Sequence, residues 1–304
     1  MNEGSYTTDE IAKLLKVSKL TVYDLIKKGT LPAYRVGKQM RIDARDLNTY
    51  KNQNKMISSS PSTVPESSAS SKSSIVISGQ DMSLDLLGTH LERSTDVQAL
   101  RSYQGSLNSL ISMYQGKGDI VSVHLFDGET RAYNLPFVNR ILTGRSYLVV
   151  NLLVRKAGFY VQTNNPMQLT KWSDLQKKDL ILANREKGSG ARVLLDEQLK
   201  IHGINPGTIL GYQHEETSHL NVASTVKQGK ADVGVGIEKA AKIVDTDFIP
   251  LIEEQYDLVL LKTKTNQAFI DQTLTILNSP EFKQEIKALG GYNTAQCGKI
   301  LYEQ

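Results

Sequence analysis

The 304-residue sequence has one cysteine, Cys297, so neither a disulfide within the chain nor a cysteine-based zinc site can form. Aromatic residues are sparse at 7%, and no apolar run approaches the roughly 18 residues of a membrane span. The longest such run, Tyr147 to Val154, is interrupted by Asn151. The first ten residues, MNEGSYTTDE, carry neither the basic nor the apolar region of a secretory signal. Together these absences place the expected chain in a reducing cytoplasm, off the membrane. Catalytic signatures are missing as well: there is no nucleophile elbow, no HExxH and no cofactor fingerprint, and Cys297 has no activating partner in the sequence around it. The reading is a non-enzyme without catalytic cofactor or resident metal. His214 and His219, with Glu215 and Glu216 between them, do not fall on one helical face as a zinc pair would.

What is present is unevenly distributed. The net charge of +4 is unremarkable, yet residues 1–55 hold eleven Lys/Arg against six Asp/Glu, net +5, leaving −1 for the rest. A polyanion partner is therefore expected for the N-terminal piece alone. Residues 56–73 read MISSSPSTVPESSASSKS, nine serines in eighteen positions with two prolines. Such a composition buries too little apolar surface to offset its ordering entropy and predicts a flexible tether. The expected domains are thus 1–55, the linker 56–73, and 74–304.

In the first domain, Thr8 is a suitable N-cap ahead of Asp9 and Glu10, with Ile11, Ala12, Leu14 and Leu15 as an apolar stripe. Ser18 caps a second helix whose Leu20, Val22, Leu25 and Ile26 face inward. An extended pair, Tyr34–Val36 and Gln39–Ile42, turns at Gly37-Lys38, and a third helix is predicted from Asp43 to about Asn52. This segment, YTTDEIAKLLKVSKLTVYDLIKKGTLPAYRVGKQMRI, resembles the excisionase-type winged helix-turn-helix related to the MerR group. The resemblance implies double-stranded operator DNA as partner. It makes Ser18, Lys19, Thr21, Tyr23 and Lys27 the recognition-helix candidates, with Arg35, Lys38 and Arg41 as wing contacts.

From Ser74 short apolar strands alternate with helices, a pattern that predicts mostly parallel sheets with ligands at the carboxyl ends of the strands. Polar turns fall at such ends: Ser78-Gly79-Gln80, Gly105-Ser106 and Gly188-Ser189-Gly190. The last lacks the Lys-Ser/Thr of a nucleotide P-loop. Segments such as SGQDMSLDLL, NREKGSGARVLLDEQL and EETSHLNVASTVKQGKADVGVGI resemble the molybdate-binding-protein-like domain of the periplasmic binding protein superfamily, which occurs fused to helix-turn-helix regulators. The implied fold is α/β, a bilobed type II domain beside the small winged helix. Matching positions place Ser78, Gln80, Asp81, Ser106, His124, Asp127, Arg185, Ser189, Arg192, Thr217 and His219 near the cleft.

The resemblance implies molybdate or tungstate as ligand. Asp81, Asp127, Glu215 and Glu216 are acceptors that would repel a bare dianion and suit the N–H groups of a pterin, which keeps the molybdenum cofactor open as the alternative; equally, they cap helices or pair with Arg131, Arg185 or Lys187. The function expected is a one-component transcription regulator acting as a homodimer on a repeated half-site. The rival readings are a carrier or storage protein for molybdenum species and an architectural DNA binder without a ligand.

Overall fold

The computed structural model describes residues 5–15, 17–27, 30–37, 39–44, 46, 47, 50 and 73–304. The chain divides into two compact units, Met1–Ala69 and Ser70–Gln304.

In the first unit a strand that the sequence pattern did not reveal, β1 (Ser5–Thr7), precedes α1 (Thr8–Leu15) and α2 (Lys19–Lys27). The strands β2 (Tyr34–Val36) and β3 (Gln39–Asp43) follow, in the sheet order β1-β3-β2, all antiparallel. Asp43 ends β3 and does not open the third helix; of that helix Ala44, Asp46, Leu47 and Tyr50 are described as helical. The cap of α1 is Thr7, one residue earlier than expected. Its hydroxyl accepts from the Glu10 amide at 3.3 Å while Glu10 accepts from the Thr7 amide at 2.8 Å, a reciprocal capping box. Ser18 accepts from the Thr21 amide at 3.1 Å and so caps α2. Ile11, Val22, Leu31, Ile42 and Leu47 form the core. Of the expected tether 56–73, only Ser73 belongs to the described residues, and it begins a strand.

The second unit is built on a ten-stranded sheet. Its strands are β4 (Ser73–Ser78), β5 (Val97–Ser102), β6 (Ile120–Val123), β9 (Tyr147–Val161), β10 (Leu182–Arg185), β11 (Glu215–Glu216), β12 (Val233–Ile237) and β13 (Asp247–Leu261), in the order β11-β10-β12-β9-β13-β6-β4-β5. The short strands β14 (Tyr292–Asn293) and β15 (Ile300–Glu303) pair with β9, and β7 (Phe126–Asp127) with β8 (Ala132–Tyr133) form a separate hairpin. Helices α3 (Ser83–Ser94), α4 (Ser106–Tyr114), α5 (Leu135–Ile141), α9 (Gln267–Asn278) and α10 (Pro280–Ala288) accompany β4, β5 and β6 in one lobe. Helices α6 (Gly190–Ile201), α7 (His219–Lys227) and α8 (Glu238–Val244) accompany β10, β11 and β12 in the other.

Only β9 and β13 belong to both lobes. They run antiparallel over fifteen residues each, with register shifts at Pro250/Ile252 and Tyr256/Asp257. Gly158 permits their close approach, because a Cβ there would lie 2.0 Å from the Ile249 carbonyl oxygen. Within each lobe the outer pairs β4-β5, β4-β6, β10-β11 and β10-β12 are parallel. Their carboxyl ends deliver Ser78, His124, Arg185 and Ile237 to the same side of the molecule, which is where parallel sheets take ligands.

Candidate functional site

The cleft between the lobes has a charged floor. Arg155, on the crossing strand β9, is almost fully buried and meets two buried carboxylates, Asp81 at 2.6 Å and Glu254 at 2.6 Å. Burial opposes its charge, but Glu254 and Asp81 outweigh that and hold the guanidinium firmly protonated. Its plane sits 4.4 Å from the centre of the Tyr256 ring, and Tyr292 donates to Asp81 at 2.9 Å. Burial and the nearby Asp81 charge raise both tyrosines, so they remain phenols. Asp81 also accepts from the Ser83 amide at 2.8 Å at the start of α3.

Above this floor lie two adjoining spaces that share Gln80 and His124. One is a gap of about 10 Å³ between the starts of α4 and α6, bordered by Ser106, Ser189 and Arg185. Here the lobes touch: Leu107 donates its amide to the Gly188 carbonyl at 3.1 Å. Gly190 is required at the contact, since a Cβ would fall 2.1 Å from the His124 ring. The Arg185 guanidinium is engaged at 2.7 Å by both Glu186 oxygens and by the Gln80 side-chain oxygen across the cleft. The other space is a chamber of about 140 Å³, bordered by polar groups from His219, Asp81, Arg155 and Tyr256 and by the apolar side chains of Met82, Leu220, Ile237, Ala240 and Ile243. The Nδ1 atom of His219 is shut off from solvent and has no hydrogen-bond partner. Burial, with the Arg185 and Arg155 charges, depresses both His219 and His124 well below the usual imidazole range, so both rings are neutral near pH 7. Ser106 fixes His124 through a 2.9 Å contact with Nδ1.

Of the residues expected at the cleft, Gln80, Asp81, Ser106, His124, Arg185, Ser189 and His219 border one or both spaces. Ser78 is buried just beneath, its carbonyl accepting from Ser122 at 3.3 Å, and Thr217 contributes a carbonyl to Arg185 at 3.4 Å. Asp127 and Arg192 do not reach it. Asp127 closes the β7–β8 hairpin by accepting from the Thr130 amide at 2.9 Å. Arg192 turns back onto Asp196 at 3.1 Å and stacks over Tyr212 at 4.2 Å. Sequence reasoning passed over Arg155, Glu254, Tyr256, Tyr292 and the α8 wall. The available signal was the adjacent charges Arg155 and Lys156 inside a largely apolar strand, whose alternation turns one of the two inward, a placement that demands a buried partner. His214 is exposed and apart from His219's chamber. Among the described residues a His/Glu cluster with ligand atoms within 4.8 Å is formed instead by His90, Glu281 and Glu285 on α3 and α10.

In the first unit Ser18, Lys19, Thr21, Tyr23 and Arg35 are exposed, and Tyr23 keeps 44% of its surface open, so it is not a core residue. Lys19 pairs with Asp9 at 2.7 Å, and Arg41 donates to the Ser5 carbonyl at 3.3 Å. Lys38 and the side chain of Lys27 lie outside the described residues. No described helix is long and apolar enough to cross a membrane.

Residues 5–55 match the helix-turn-helix domain family and residues 88–278, more than half of the chain, match the PBP superfamily domain family. The uncharacterized protein YvgK of Bacillus subtilis (strain 168) is 52% identical over 309 residues, spanning both chains end to end. A tungstate ABC transporter structure from Geobacter sulfurreducens superposes with a TM-score of 0.53 at 13% identity, covering 71% of this chain and 98% of that one. The sulfate-binding protein SubI from Mycobacterium tuberculosis H37Rv gives 0.52 at 13% identity, covering 72% and 85%. At such identities these two likenesses speak for the fold, a type II binding-protein architecture. With an excisionase-like helix-turn-helix at its N-terminal end and two lobes joined by β9 and β13, the chain belongs to the PBP superfamily domain family.

Proposed function

We propose that this protein is a one-component DNA-binding transcription regulator that senses a small ligand in the cleft of its binding-protein-like unit. The winged helix would read a duplex through Ser18, Lys19, Thr21, Tyr23 and Lys27, with Arg35, Lys38 and Arg41 on the backbone or minor groove. A single short recognition helix offers few base contacts, which argues for a homodimer on a repeated half-site. Cleft occupancy would act by favouring the closed pair of lobes, and the domains are taken as 1–55, the tether 56–73 and 74–304.

The observation that carries the sensing half is the chamber of about 140 Å³ to which both lobes contribute, bordered by His124 and His219 beside the Asp81–Arg155 ion pair. For the ligand, Arg185 and the helix starts at Ser106 and Ser189 support molybdate or tungstate, in keeping with the tungstate protein of like fold. The buried acids Asp81 and Glu254 support the alternative, a pterin of the molybdenum-cofactor kind. The test is selection of bound sequences from a random duplex library with the full chain, repeated with each ligand present. Recovery of a repeated motif whose occupancy changes with ligand is expected; recovery of no motif contradicts the DNA-reading half.

A further inference from the structure

Resting on the ligand-sensing reading, the volumes and charges of the cleft narrow the class of ligand. The free space is not at the anion cradle. The gap bordered by Ser106, Ser189 and Arg185 measures about 10 Å³, room for about one water. Its one guanidinium is already committed to Glu186 and Gln80. The space lies beside it, and at about 140 Å³ it is comparable to the roughly 150 Å³ apolar cavity that holds a benzene ring.

Charge gives the same answer. Asp81, Glu186 and Glu254 stand against Arg155, Arg185 and Lys239, one negative for each positive, and both imidazoles are neutral. A bare dianion moved from water into this cleft would lose its hydration and find no net positive charge in return. A flat molecule with polar edges loses little. Its faces would lie against Ile237, Leu220 and Ile243, and one edge would meet the polar side chains that border the same space, His219 and Gln80 among them. A nitrogen of a neutral imidazole pairs with either an N–H or a carbonyl, depending on tautomer, as a heterocycle edge requires.

We propose that the cleft ligand is a small planar nitrogen heterocycle seated in the chamber between the lobes, with His219 as its polar anchor and the α8 residue Ile243 as part of its apolar wall. The test uses the full chain, with calorimetry and thermal melts against pterin-6-carboxylate, hypoxanthine and nicotinate on one side and sodium molybdate and tungstate on the other. The wild type is expected to bind at least one heterocycle saturably. His219→Leu and Ile243→Glu are each expected to weaken it by roughly tenfold or more, the equivalent of one hydrogen bond or one apolar contact. Ile243 is 57% exposed, so its substitution leaves the fold intact, and the melt of each unliganded variant checks this. Tight molybdate or tungstate binding that Ile243→Glu leaves unchanged would overturn the heterocycle and keep the sensor. Silence from all five probes would overturn both.

Discussion

Arg155 shows how one side chain organises the cleft. It is the cation between Asp81 of one lobe and Glu254 of the crossing strand, so Arg155→Met leaves two buried carboxylates without a counter-charge. A loss of about 3–5 kcal/mol is expected by urea unfolding at pH 7, and a loss below 1 kcal/mol would show that the triad is solvated and not sealed. Asp257, whose neighbour Tyr256 lines the cleft, gives a second prediction. Asn134 and Asn151 donate to it at 2.7 and 2.8 Å, yet burial still raises its carboxyl to about 6 from 3.8. A raised folded-state pKa means that the native state binds the proton more tightly than the unfolded chain. Its contribution is complete below about pH 4 and is lost as the pH rises toward 6, in all about 3 kcal/mol. Asp257→Asn should remove this slope, since the buried, unpaired Asn151 Oδ1 can turn to accept from the new amide. Parallel stability-against-pH curves for wild type and variant would contradict the assignment.

At the scale of elements the decisive feature is the pair of long crossing strands. Gly158→Ala would drive a Cβ into the Ile249 carbonyl and part β9 from β13, with an expected cost of about 1–3 kcal/mol by thermal unfolding. An unchanged melting temperature would mean that the strands relax freely. The elements also show where sequence pattern suffices. The apolar run at 147–154 reads as a lobe-crossing strand and the stretches near 267–277 and 280–289 read as helices, and the structure has β9 over Tyr147–Val161 and helices over Gln267–Asn278 and Pro280–Ala288. The first half of β13, DFIPLIEE, was not: a proline and three acids conceal a strand whose extended form is imposed by pairing with β9. Asn184 and Arg185 read as loop residues but end β10, because β11 pairs with them through Glu215 and Glu216. The small polar turns were legible as candidate site material, since Gly and Ser at three helix starts beyond the carboxyl ends of strands leave amides and hydroxyls open to a ligand. Arg155, Glu254 and the α8 wall were not, because they meet the turns only through long-range strand pairing.

At the scale of the whole chain, charge and fold divide the work between two units. The basic excess is confined to residues 1–55, so DNA affinity should fall steeply with salt, with a log–log slope of about −0.9 per phosphate contacted. Lys19→Ala and Lys27→Ala should each weaken binding and flatten that slope by about one. Unchanged binding in both would remove α2 as the recognition helix. A ligand-controlled regulator requires communication between the units, and coupling between two sites in one protein is typically about 5- to 150-fold in affinity. The most direct measurement is fluorescence anisotropy of the full chain on its selected duplex, titrated with and without saturating cleft ligand at fixed salt. Isotherms displaced by about fivefold or more are expected. Superimposable isotherms, with calorimetry showing the cleft filled, would rule out a ligand-controlled regulator.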